Sequence, residues 1–112
     1  MSNIAMGLDA QIIAIGPFSR KVVKALEYPE ADYAQVKEGA TVVSNVFLAM
    51  TSEESHALAA CFGVGALDFG RHELNPQAAD QKKLTEVFDQ ENVRDFLLLR
   101  EYGFKFYFLP NA

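Results

Sequence analysis

Cysteine is nearly absent from this chain: Cys61 is the only one in 112 residues. That excludes an internal disulfide framework and suits a reducing compartment. Tryptophan is missing, and histidine occurs only at positions 56 and 72, so metal and acid–base sets lack their commonest member. Positive charge is also scarce, with ten basic residues against fifteen acidic ones and a net charge of −5. Such a balance disfavours nonspecific binding to nucleic acid or to an anionic membrane, both of which attract cationic surfaces. It favours a basic protein as partner. No apolar run approaches the roughly eighteen residues that begin to suggest a membrane span, and "MSNIAMGLDA" has neither the basic n-region nor the long h-region of a signal peptide. These absences lead to a cytoplasmic expectation. Because Met6-Gly7 reads as a natural start, residues 1–8 are expected to be a disordered or vector-derived lead, with residues 9–112 as the folded domain.

Apolar residues make up 50% of the chain and nine of them are phenylalanine, so the sequence has the material for a core. A domain of this size buries roughly two-thirds of its unfolded surface without needing metals or disulfides. "DAQIIAIGPF" (9–18) reads as an inner strand stopped by Gly16-Pro17. In "SRKVVKALEYP", Ser19 is placed to cap a short helix that buries Val22, Val23 and Leu26 and ends before Pro29. "ATVVSNVFLAM" (40–50) is β-branched and apolar, hence a second strand. Next, "TSEESHALAACF" carries a capping box, with Thr51 accepting from the amide of Glu54 and the Glu54 carboxylate reaching back to the amide of Thr51. Ala57, Leu58, Cys61 and Phe62 would form its buried face, and Gly63 would stop it.

"NPQAADQKKLTEVFDQ" is expected to be one helix, with Asn75 as cap, Pro76 at the first position and a stripe of Leu84, Val87 and Phe88. "NVRDFLLLREYG" suggests a further helix capped by Asn92 and ended by Gly103; a hairpin over Glu101–Gly103 is the other reading of 92–109. The chain closes on "FKFYFLP". Alternation there puts Phe104, Phe106 and Phe108 on one face and Lys105, Tyr107 and Leu109 on the other, which is a packed strand. The fold class that follows is α+β: a single small domain whose short sheet, about three to five strands, is packed on one face by about three or four helices.

Little here carries chemistry. "GVGALDFG" starts a G-x-G, but Asp68 stands where the third glycine belongs and the preceding segment is helical, so the dinucleotide fingerprint fails. His56, Cys61 and His72 have no metal-ligand spacing, and no metal or cofactor is expected. Cys61 falls on the buried face of an alanine-rich helix, where a thiol is inert. No catalytic residue is assigned; Asp68, His72 and Glu73, in a glycine-punctuated stretch, form the best acid–base set if there is one. They define the alternative reading, a small enzyme or small-molecule-binding domain.

The strongest functional pointer is the acidic and aromatic segment Glu27–Glu38. Tyrosines there offer rigid apolar bodies with polar tips, and the surrounding carboxylates would steer a basic partner. The expected contact residues are Tyr28, Glu30, Asp32 and Tyr33, with Glu53 and Glu54 beside them. A small acidic protein of this kind has the general character of a bacterial toxin-neutralising inhibitor, immunity protein or antitoxin. Homodimerisation through the C-terminal strand is compatible with either reading.

Overall fold

A computed structural model describes residues 9–64 and 71–110, apart from the side chain of His72. The expected lead over residues 1–8 and the glycine-rich stretch containing Asp68 therefore lie outside the described residues. The elements run β1 (Ala10–Pro17), α1 (Arg20–Ala25), β2 (Thr41–Ala49), α2 (Ser52–Cys61), β3 (His72–Leu74), α3 (Gln81–Val87), α4 (Gln90–Glu101) and β4 (Lys105–Pro110). The strands form one antiparallel sheet in the order β2-β1-β4-β3. This is the α+β architecture expected from the sequence, with helix and strand, not a hairpin, over residues 90–110.

Alternation decides which face is packed. Ala10, Ile12 and Ala14 of β1 are buried with Phe106 and Phe108 of β4, Phe47 of β2 and Leu74 of β3. The helices supply Val22, Leu58, Leu84, Val93, Phe96 and Leu99 to the same core. Phe96 is its hub, with ring centroids 4.9 Å from Phe106, 5.4 Å from Phe62 and 5.8 Å from Phe47. Such tilted and edge-on pairs add about 0.5–1.5 kcal/mol each beyond their burial. The opposite face of the sheet, with Gln11, Ile13, Ile15, Lys105, Tyr107 and Leu109, is half-buried to exposed.

Two close fits set the geometry. Gly16 lies under the ring of Phe104, so a Cβ built there would sit 2.6 Å from Cγ and Cδ2. In β2, Ile12 pairs with Phe47 and Ile13 with Asn45, leaving Val46 as the extra residue of a bulge. The side chain of Asn92 donates to the Val46 carbonyl at 2.7 Å.

Several local expectations are corrected. Ser19 holds the cap position of α1, but its hydroxyl makes no cap bond; Glu38 accepts from the amide of Arg20 at 2.8 Å instead. Thr51 does cap α2, accepting from the amide of Glu54 at 3.1 Å, yet the Glu54 carboxylate accepts from Met50 at 2.8 Å and not from Thr51. Asn75 caps only a 3₁₀ turn, Pro76–Ala78, and α3 starts afresh with Asp80 accepting from Lys83 at 3.1 Å. Two strong local caps in six residues split what periodicity reads as one helix. Leu84 is buried there and Val87 is exposed. Asn92 lies inside α4, whose cap position is Asp89, because its amide is drawn to the β2 bulge. Finally, β4 pairs on both sides, so the C-terminal strand is interior and its edge is not available for dimerisation.

Candidate partner-binding site

The acidic segment after α1 is held in place from within. Arg20 places its guanidinium 5.5 Å from the Phe18 ring centroid and 5.8 Å from that of Tyr33. The same group donates to the carbonyl of Val36 at 3.2 Å and more weakly to Ala34 at 3.5 Å. Phe18 and Tyr33 meet with centroids 5.9 Å apart. Tyr33 thus lies back on the domain, half-buried, and fixes a 3₁₀ turn over Glu30–Asp32. Glu27 is committed to Arg94, at 3.0 Å.

Beneath that turn runs a groove of about 210 Å³, walled by Val22 of α1, by Leu26, Tyr28, Asp32 and Tyr33, and by the start of β2 (Val42, Val43). Its size is below the few hundred cubic ångströms of a typical small-molecule site, and it fits one or two side chains of a partner. Tyr28 is exposed, and Glu30 and Asp32 stand in solvent with no ion-pair partner among the described residues. The structure therefore brings Tyr28, Asp32 and Tyr33 to one groove, with Glu30 on the same turn.

Glu53 and Glu54 are elsewhere. They open α2, past the far end of β2, where Glu54 borders a depression of about 340 Å³ with Leu48, Met50, Val87 and Asp89. Leu48, Met50 and Val87 are all exposed apolar side chains, so this is a second acid-rimmed apolar patch. The sequence pattern did not point to it, because its residues come from two segments more than thirty residues apart.

Of the alternative acid–base set, Asp68 and the His72 side chain lie outside the described residues. Glu73 is exposed on β3, opposite Tyr107, at an open depression shared with Leu74, Asn75 and Pro76. A larger shallow hollow of about 520 Å³ on α4 includes Arg94, Leu97, Leu98 and Arg100. Both of its guanidinium groups are occupied, Arg94 by Asp95 and Glu27, and Arg100 by the Pro76 carbonyl and the Phe96 ring. The Arg94 pKa is raised further, chiefly by its hydrogen bond to Asp95. Cys61 is buried and its thiol pKa is raised, first by desolvation and then by the nearby Asp80 carboxylate. That is the opposite of nucleophile activation. Among the described residues no group of three His, Cys, Asp or Glu is placed to hold a metal ion, and no helix is long and apolar enough to cross a membrane.

No family model, no curated protein and no solved structure matches this chain.

Proposed function

We propose that this is a non-catalytic acidic binding protein that occupies a basic partner protein in the cytoplasm, most concretely as a toxin-neutralising inhibitor of the immunity or antitoxin type. The observation that carries the reading is the groove beneath the Glu30–Asp32 turn, where exposed Tyr28 and the Asp32 carboxylate border an apolar floor, with Glu30 on the same turn and neither carboxylate in an ion pair among the described residues. An aromatic anchor with a carboxylate rim is the arrangement that steers a cation-rich surface and then holds it by burial. The rigid backing from Arg20 lowers the ordering cost of binding.

The test is capture from native lysate at low and moderate salt, comparing the natural chain with Glu30→Lys/Asp32→Lys. A Glu73→Lys/Glu86→Lys control makes the same change in net charge away from the groove. Retention of one basic protein by the natural chain and the control, weakened by salt and lost in the Glu30/Asp32 variant, is the expected result. Equal retention by all three chains removes the groove from the interface and refutes the assignment.

A further inference from the structure

The two edges of the sheet are unlike. β3 is three residues long and carries exposed Glu73, and a short charged strand is a poor template for pairing. β2 is nine residues long, TVVSNVFLA, with no charge and no proline, and among the described residues it pairs only with β1. Its outward-facing side chains include Val43 at 61% exposure and Leu48 at 44%, followed by Met50 at 52%. No charged or proline residue along the strand guards this edge.

We infer that β2 pairs antiparallel with β2 of a second copy, joining the two sheets across a two-fold axis. The occupant is a second copy because the strand is self-complementary in both charge and face. It has no charged side chain to meet its like across the axis. The bulge at Val46 limits the registers that use both arms of the strand. Before it, Thr41, Val43 and Asn45 face out; after it, Leu48 and Met50 do. Outward residues meet outward residues on both arms of the strand when the axis passes between Asn45 and Val46 or between Val46 and Phe47; the first is favoured because it sets Leu48 against Val43, where the second sets it against polar Asn45. Val43 falls opposite Leu48 of the other copy, and Thr41 opposite Met50, so the exposed apolar side chains cover one another.

The same pairing completes the binding surface. Within one chain the groove of Tyr28, Asp32 and Tyr33, with Glu30 on its turn, lies at the start of β2, while Glu53 and Glu54 lie past its end. Antiparallel pairing sets the start of one β2 beside the end of the other, on the helix-covered side of the joined sheet. The six carboxylate and tyrosine positions become one composite face, formed twice per dimer. This second consequence rests on the partner-binding reading; the pairing of β2 does not.

The test measures mass by light scattering after size exclusion over a concentration series, using the purified full chain alone. The natural chain should approach twice 12.4 kDa. Val43→Lys/Leu48→Lys places two ammonium groups opposite each other at each pair and should shift the chain to monomer. Val43→Lys/Leu48→Glu places opposite charges there and should restore the dimer. Circular dichroism checks that both variants fold. A natural chain that stays monomeric at its highest soluble concentration overturns the inference. So does a dimer that survives the double lysine change, or a lysine–glutamate variant as dissociated as the double lysine one. Because no partner is present, none of these outcomes depends on whether a basic protein is bound.

Discussion

Replacing Gly16 by alanine separates local preference from tertiary fit. Gly16 lies near the end of β1, outside the positive-φ positions, where alanine is locally at least as acceptable as glycine. Shortening the freedom of the unfolded chain would even stabilise the protein by about 0.4–1 kcal/mol. The structure demands the reverse. The new Cβ would meet Cδ2, Cγ and Cδ1 of Phe104 at 2.6, 2.6 and 2.8 Å. These atoms are near the root of the ring, and Phe104 is itself 5% exposed in the core, so a rotamer change does not clear them. Overpacking of this kind costs about 1–3 kcal/mol, and the middle of that range less the middle of the unfolded-state gain leaves a net loss of about 1.3 kcal/mol. At about 4 °C per kcal/mol for a domain of this size, Tm should fall by about 5 °C. The decisive assay is a double-mutant cycle with Phe104→Ala, read by urea unfolding with sucrose present to keep the weaker variants folded. Phe104→Ala alone should lose about 3–5 kcal/mol. Adding Gly16→Ala to it should then cost nothing, because the clash has gone. An equal loss from Gly16→Ala in both backgrounds would refute the reasoning.

Two further predictions come from groups in α2. The hydroxyl of Ser55 is fully buried and has no hydrogen-bond partner among the described residues, so Ser55→Ala should raise stability by about 1–3 kcal/mol, read as a higher urea midpoint at unchanged slope; a lower midpoint would show that the hydroxyl is satisfied. The Cys61 thiol is raised above its ordinary value of 9.0 by burial, so between that value and the folded one the native chain holds a proton that the unfolded chain has lost. Its contribution to stability is full below pH 9.0 and shrinks as pH rises through the folded value. The stability gap between the natural chain and Cys61→Ala should therefore narrow in the alkaline range, and a constant gap would exclude the effect.

The elements were largely legible in the sequence because their signals are local. Alternation in "FKFYFLP" sorts Phe104, Phe106 and Phe108 to the core, and Thr51 and Gly63 mark the ends of α2 through their own backbone needs. The split of 75–87 into a turn and a helix was legible only in part, since Asn75 and Asp80 are both competent caps and periodicity bridges them. The cluster Tyr28, Asp32 and Tyr33 was visible because it lies in one short segment. What only tertiary structure decided is everything that joins distant segments: Glu38 capping α1, Asn92 held at the β2 bulge, Phe104 over Gly16, and Glu53 with Glu54 at the far end of β2. The strand order belongs to the same class. β1, β2 and β4 read as apolar or alternating runs, and β3 was not legible as a strand; such runs report burial but not which edge is paired, so only packing placed the C-terminal strand inside the sheet and left β2 at its rim.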